Sequence, residues 1–263
     1  MNIGFIGAGN MGGALARALS TNKETNIYIF DINIEKAELL ASEIGATVYE
    51  KETLLSISDF IFLGVKPKGI ADVCKNIRDG IKADAAIISM AAGVEIKKLE
   101  ASLGEGIPVI RIMPNTPVTY GAGMTAFCKN EFVSEKMLSH FKEMMKYTGT
   151  IAEIPEDKFE AFTAVAGCSP AYAYMFIDAI ANAGAKCGLD YSDALSYASK
   201  MLEGAALMVR NSPLSPTVLK ENVCSPGGST IEGVYVLEGA DFDGTVQKAI
   251  IAAFNKTKEL GKQ

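Results

Sequence analysis

The stretch that most constrains this chain lies at its start. Residues 3 to 6, Ile-Gly-Phe-Ile, have the pattern of a short apolar strand, and Gly7-Ala8-Gly9-Asn10-Met11-Gly12 follows at once, leading into a helical pattern through Leu15, Ala18 and Leu19. Glycines at the first, third and sixth positions between strand and helix have separate uses: Gly7 makes the turn, Gly9 lets backbone approach a pyrophosphate, and Gly12 lets helix pack on strand. A strand–turn–helix of this kind is built to hold a dinucleotide, with Ala8, Asn10 and Met11 lining the same turn. The next strand pattern, Ile27-Tyr-Ile-Phe30, ends at Asp31, where a carboxylate can accept the 2′-hydroxyl of an NAD ribose. Asp31 fits the N-cap of a helix starting near Ile34 equally well.

Further apolar strands recur with helices between them, at Phe60–Leu63, Ala86–Ser89 and Val109–Ile112. This alternation predicts a parallel sheet covered by helices on both faces, an α/β Rossmann-type dinucleotide-binding domain. Strand ends in such a sheet face the ligand. The segments following them are Gly64-Val65-Lys66-Pro67, Met90-Ala91-Ala92-Gly93 and Met113-Pro114-Asn115-Thr116-Pro117, which makes Val65, Lys66, Pro67, Ala91, Ala92, Gly93 and Asn115 candidates for the cofactor side. A late strand is expected within Gly121–Phe127 and a helix over Ser134–Lys146.

Strand signals stop near Ile154-Pro155. The expected division is therefore residues 1–154 as the dinucleotide-binding domain and residues 155–263 as an all-helical domain. Ser169-Pro170 fits the N-cap and first position of one long helix, and Asp190 or Ser192 begins another. In the second, Ala194, Ala198, Met201, Ala205 and Met208 form an apolar seam at helical spacing. Either it is core or it is a subunit interface. A helical region so rich in Ala and Met is expected to complete its core with a second copy of itself.

The formal net charge of −6, with no run of Lys or Arg longer than two, gives no footprint for nucleic acid or an anionic membrane. A small-molecule partner is expected instead. With no basic leader pattern and no long uninterrupted apolar run, a cytoplasmic location is expected. Five widely spaced cysteines without a Cys-x-x-Cys pair argue against both a disulfide framework and a zinc site, and no metal is expected. They are expected to be reduced and mostly buried.

The second focus is Cys224-Ser225-Pro226-Gly227-Gly228-Ser229-Thr230. Pro226 ends the preceding helix, the glycine pair permits positive φ, and Ser229 with Glu232 has the spacing of a capping box, so a helix should start near Thr230. Helix starts present free N–H groups and partial positive charge. A small carboxylate could sit on this turn while the hydroxyl of Ser225, Ser229 or Thr230 meets a second polar atom; otherwise Ser229 merely caps its own helix. A dinucleotide domain joined to such a turn implies hydride transfer to or from a small acid. The only histidine is His140 on an amphipathic helix, and the helix after Ser169 has no lysine until Lys186. An alcohol–carbonyl reaction would lack a proton carrier. An imine needs less help: its nitrogen is basic enough to be protonated near neutral pH, and a hydroxyl such as Thr230 suffices to orient it.

These residues resemble the pyrroline-5-carboxylate reductase family. The similarity runs through Phe5–Gly12, Val65-Lys66-Pro67, Ala91-Ala92-Gly93, Arg111–Pro117, Gly123-Met124-Thr125, Ser169–Tyr172 and, as the family's signature stretch, Leu219–Thr230. The resemblance implies NADH- or NADPH-dependent reduction of 1-pyrroline-5-carboxylate to L-proline. It implies that Ser225, Gly227, Gly228, Ser229 and Thr230 bind the substrate carboxylate, with Thr230 as the catalytic residue bonded to the ring nitrogen. It further implies a homodimer through an all-α C-terminal dimerisation domain, and allows such dimers to assemble into a larger ring. Many members carry His-Pro where this chain has Ser215-Pro216, which removes any role for that histidine. Asp31 would repel a 2′-phosphate and favours NADH. The competing readings are a β-hydroxyacid dehydrogenase, disfavoured by the missing helix lysine, and a non-catalytic NAD(P)-binding sensor.

Overall fold

The computed structural model describes residues 1–261. Eight strands form one sheet: β1 (Asn2–Ile6), β2 (Asn26–Phe30), β3 (Thr47–Val48), β4 (Phe60–Leu63), β5 (Ala86–Ser89), β6 (Val109–Met113), β7 (Gly123–Lys129) and β8 (Gly149–Glu153). Their order across the sheet is β3-β2-β1-β4-β5-β6-β7-β8, and every pairing from β3 to β6 is parallel. The order reverses direction between β1 and β4, the switch point at which such sheets open a crevice beyond their carboxyl ends.

The continuous apolar runs read from the sequence are explained by burial on both faces. Phe60 and Phe62 point into one core with Phe5, Leu15, Ile29 and Phe141, while Ile61 and Leu63 point into the other with Leu54, Ile87 and Leu99. Phe5 and Phe62, on neighbouring strands, stack with ring centroids 4.7 Å apart.

The expected all-parallel sheet needs one correction, since β7 runs antiparallel to β6, with Met113 opposite Ala126. Only Pro114–Ala122 join the two strands, and this connection holds a single 3-10 turn at Thr116–Tyr120, too short for a parallel crossover. The Glu135–Met145 helix, N-capped by Ser134, then carries the chain across to β8, which pairs parallel to β7.

The chain divides into two compact units, Met1–Gly167 together with the chain from Phe254 onward, and Cys168–Ala253. Residues 156–167 are helical, yet they stay bonded to the sheet. Glu156 Oε1 accepts from the Ile96 N–H at 2.8 Å and from Arg111 Nη1 at 2.9 Å, and the Arg111 guanidinium lies 4.4 Å from the centre of the Phe159 ring. A π-helical turn, Thr163–Gly167, precedes the Ser169–Lys186 helix. Because the backbone is already helical there, that helix starts at Ser169 itself with Cys168 in the capping position, and Ser169 is not the N-cap expected from Ser-Pro. By length and composition alone, the helical stretch Glu156–Lys186 is apolar enough to cross a membrane. It changes from 3-10 to α to π to α within its length and carries Asp157, Lys158, Glu160 and Asp178.

The helical unit contains the helices Ser169–Lys186, Tyr191–Asn211, Pro216–Asn222 and Ser229–Gly239 and the first part of Phe242–Gly261. Among its described residues only Ala181, Ala194 and Ala198 are buried, whereas Tyr174, Met175, Tyr197, Met208 and Val236 are exposed. The seam on the Tyr191–Asn211 helix is thus core at Ala194 and Ala198 and surface at Met201, Ala205 and Met208. Three buried alanines cannot hold a helical unit together, so these apolar faces require a further partner.

The Arg111–Glu156 pair yields a test of how burial sets cost. Arg111 has 4% of its side chain exposed and Glu156 31%. Glu156→Ala strands a buried cation and should cost about 3 kcal/mol, while Arg111→Met leaves a half-solvated carboxylate still bonded to Ile96 and should cost about 1 kcal/mol. Urea unfolding of the two variants checks this, and equal losses would refute it.

Candidate active site

In the sheet unit the candidate residues line the carboxyl ends of five adjacent strands. Gly7 has φ +105°, and a Cβ there would lie 2.7 Å from the carbonyl oxygen of Gly64, which follows β4. A Cβ on Gly12 would strike the Gly7 carbonyl. At Gly9 a Cβ would meet only the Gly64 oxygen at 3.8 Å. Gly7 and Gly12 are therefore glycines because backbone approaches backbone, while the space above Gly9 is left free of protein. The Asn10–Ser20 helix begins here with Gly9 as its N-cap, no side-chain cap and no acid in its first turn. Bare N–H groups, a helix dipole and open space fit a pyrophosphate.

Asp31 closes the other side of the turn. Its Oδ2 accepts from the Ala8 N–H at 2.7 Å, and its Oδ1 from the Asn33 N–H at 2.8 Å. It is not the N-cap of the following helix. That place is taken by Asn33, which accepts from the Lys36 N–H at 3.1 Å. Each Asp31 oxygen keeps a lone pair for a further donor.

Along the same edge Val65 is half-buried and Lys66 and Pro67 are exposed, entering a 3-10 turn. Ala91 is buried and Ala92 exposed; Gly93, at φ +73°, lies against the end of the Phe242–Gly261 helix, where a Cβ would come within 2.9 Å of the Gly261 Cα. The need for glycine at 93 comes from that backbone contact. Asn115 is half-buried, with its amide engaged by Met124 and Ala166 of the chain itself. Sequence reasoning passed over Gly64 as a site residue, although it follows an apolar strand as Gly7 does. A concavity of about 720 Å³ in this unit, lined by Ile96, Glu100, Asn130 and Glu153, shares no residue with the candidate site.

In the helical unit, Ser225–Gly228 forms a β-turn closed by the Gly228 N–H on the Ser225 carbonyl at 3.0 Å. Pro226 and Gly227, the latter at φ +71°, are the residues a type II turn demands at its two central positions. The Ser229–Gly239 helix follows, and here the expected capping box is corrected. Gly228 is the N-cap, extended at φ −80° and ψ 165°, no side chain caps the first turn, and Ser229 is already helical. Ser229 sits one residue too late to cap its own helix, so its hydroxyl and that of Thr230 stay exposed beside bare N–H groups. The preceding Pro216–Asn222 helix is capped by Ser215, whose hydroxyl accepts from the Val218 N–H at 3.3 Å. A Lys220–Glu238 ion pair of 2.7 Å ties that helix to the next.

Residues 156–260 match the family model described as pyrroline-5-carboxylate reductase dimerisation, and residues 2–93 match one described as NADP oxidoreductase, coenzyme F420-dependent. The pyrroline-5-carboxylate reductase of Aquifex aeolicus is 37% identical over 99% of this chain and 97% of its own length. The chain belongs to the pyrroline-5-carboxylate reductase family. Among solved structures, the reductase of Streptococcus pyogenes superposes with a TM-score of 0.88 at 33% identity, covering 98% of both chains. A Plasmodium falciparum pyrroline carboxylate reductase, solved with NADP bound, does so with a TM-score of 0.88 at 31% identity, covering 99% of this chain and 98% of its own. The exposed apolar faces of the helical unit lie within the stretch that matches the family's dimerisation model, and the chain is a homo-oligomerising oxidoreductase of that family.

Among the described residues, no other titratable machinery gathers at either place. His140 is exposed on the Glu135–Met145 helix, and Lys186 is the last residue of its own. Of the cysteines only Cys74 and Cys128 are buried, fewer than expected, and Cys187 is exposed. Burial pushes the thiols of Cys74 and Cys128 up to about 11 and about 12, which keeps both protonated at neutral pH.

The two positive-φ glycines should respond differently to a methyl group. Gly7→Ala forces backbone apart at Gly64 and should cost about 2–4 kcal/mol, whereas Gly227→Ala meets open space and should cost about 1 kcal/mol for its left-handed conformation. Denaturant midpoints measure both; equal effects would mean that φ alone demands glycine at position 7.

Proposed function

We propose that this chain transfers a hydride from NADH or NADPH to the C=N bond of 1-pyrroline-5-carboxylate, giving L-proline in the last step of proline biosynthesis. What carries the reading is the Ser225–Gly228 turn delivered into a helix start that no side chain caps, in a chain of this family. Functionally, residues 1–154 are the dinucleotide-binding domain and residues 155–263 the substrate-binding and dimerisation domain.

The substrate carboxylate takes the N–H groups at the start of the Ser229–Gly239 helix, with Ser225, Gly227, Gly228 and Ser229 shaping its seat. The Thr230 hydroxyl accepts from the protonated ring nitrogen and fixes which face of the ring is presented. The reduced dinucleotide, when bound, supplies the hydride. Hydride adds to the imine carbon, and the π electrons of C=N become the nitrogen lone pair, so the chain need supply no strong acid. The dinucleotide is held by Gly7–Gly12 at the pyrophosphate and by Val65, Lys66, Pro67, Ala91, Ala92 and Gly93 along the strand ends. Asp31 accepts the ribose 2′-hydroxyl with its remaining lone pairs and disfavours a 2′-phosphate, which sets the preference towards NADH. A homodimer through the helical domain, assembling further into a ring, is the proposed working form, and the cytoplasm its location; sedimentation of the purified protein separates dimer from ring.

Initial rates of NADH and of NADPH oxidation with 1-pyrroline-5-carboxylate, beside a 2-keto acid and a 3-hydroxy acid, test the reaction class. Turnover of the imine alone is expected, and activity confined to a hydroxy acid would overturn the reading. Thr230→Ala should lower kcat/KM for the imine about 10- to 1000-fold with dinucleotide affinity little changed. Asp31→Ser should raise NADPH use relative to NADH, and should also weaken NADH about tenfold by releasing the Ala8 N–H of the glycine turn. An unchanged ratio removes Asp31 from the ribose site.

A further inference from the structure

Asn115 occupies a joint between the crevice edge of the sheet and the segment that leads to the helical unit. It follows β6 and the Met113-Pro114 pair, at the carboxyl edge where the dinucleotide is proposed to lie. Its Oδ1 accepts from the Met124 N–H of β7 at 2.9 Å, and its Nδ2 donates to the Ala166 carbonyl at 3.0 Å. Ala166 belongs to the π-helical turn Thr163–Gly167, and the next residue, Gly167, is where a Cβ would meet the Met113 methyl at 3.4 Å. The Thr163 hydroxyl donates to the Phe159 carbonyl at 2.7 Å.

A π turn is a helix with one residue too many for its pitch, rare and frequently found at functional sites. Here Asn115 holds it from the crevice edge, through the Ala166 carbonyl. The position demands a donor and an acceptor on one short side chain, with β7 on one side and a helix carbonyl on the other. Asparagine supplies both. Aspartate would still accept from Met124 but would set a carboxylate against the Ala166 carbonyl.

We infer that Asn115 is a positioning residue for the reaction and not a ligand of the cofactor. It holds the π turn on the β6–β7 connection and so fixes the course of residues 163–167 beside the crevice edge. Hydride transfer tolerates little misplacement, and an error of about 1 Å at the reacting atoms costs on the order of 100-fold in rate. The inference rests on the imine-reductase reading.

The test uses full-length wild type and Asn115→Asp. Steady-state imine reduction gives kcat and KM, quenching of NADH fluorescence gives the dinucleotide Kd, and NADH deuterated at the transferred position gives the kinetic isotope effect. In Asn115→Asp, kcat should fall about 10- to 100-fold, Kd for NADH should stay within about threefold, and the isotope effect should rise as the hydride step becomes limiting. Hydrogen exchange should show lost protection across residues 163–167. A Kd weakened by the same factor as kcat/KM would make Asn115 a cofactor ligand and overturn the inference, as would a kcat within about twofold of wild type. Asn115→Ser, whose shorter side chain gives up the reach to Ala166, gives the same test where Asn115→Asp does not fold. Failure of the wild type to reduce the imine overturns the functional reading and this inference with it; failure of the variants alone to differ overturns only the inference.

Discussion

The contact on which the site depends is backbone against backbone. The turn after β1 and the turn after β4 approach so closely that the Gly64 carbonyl stands where a side chain on residue 7 would begin. This happens at the point where the strand order reverses, so the two turns diverge beyond it and leave the crevice between them. Asp31 then fixes the turn from the neighbouring strand through the Ala8 N–H. A carboxylate that already organises the pyrophosphate turn is well placed to read the ribose beside it. One residue thereby couples two parts of the proposed cofactor site.

The helical unit is governed by an opposite shortage. Its helices bury three alanines and expose tyrosines, methionines and valines, so the interaction that stabilises them lies outside a single chain. In the proposed reaction assembly and substrate binding are linked for that reason, because the Ser225–Gly228 turn is carried on helices that need a partner to be held still. The Lys220–Glu238 pair, exposed at both ends, adds little by itself. Packing between copies has to do most of the holding.

Much of this was legible in the sequence because its signals are local. Glycine spacing between an apolar strand and a helix, and Pro-Gly-Gly before another helix, both act within a few residues of themselves. What escaped was set by distant partners. The reversal of β7 depends on the length of the Pro114–Ala122 connection, and the helix start at Ser169 follows a π turn bonded to Asn115 of that same connection. Ser229 has the spacing of a cap, yet Gly228 takes the extended conformation that defines one, since a glycine follows the turn more easily than a serine and leaves no side chain over the helix start. Asn115, read from its place after a strand as a cofactor contact, is engaged by two backbone groups that no local pattern could show.

The two proposed binding places share one local solution. In the sheet unit, Gly7 at φ +105° precedes Gly9, an extended N-cap at φ −71° and ψ −176°, and a helix of 11 residues. In the helical unit, Gly227 at φ +71° precedes Gly228, extended at φ −80° and ψ 165°, and again a helix of 11 residues. Three other described helices are capped by the side chains of Asn33, Ser134 and Ser215, each worth about 1 kcal/mol, while others, Ile70–Ile77 and Tyr191–Asn211 among them, also start without a side-chain cap. A glycine in that place gives up only roughly a few tenths of a kcal/mol of it and leaves the N–H groups open to a ligand. An anion takes them at both places in the proposed reaction, the pyrophosphate at one and the substrate carboxylate at the other. Ligand binding then supplies the missing caps, and each ligand should stabilise the unit that holds it.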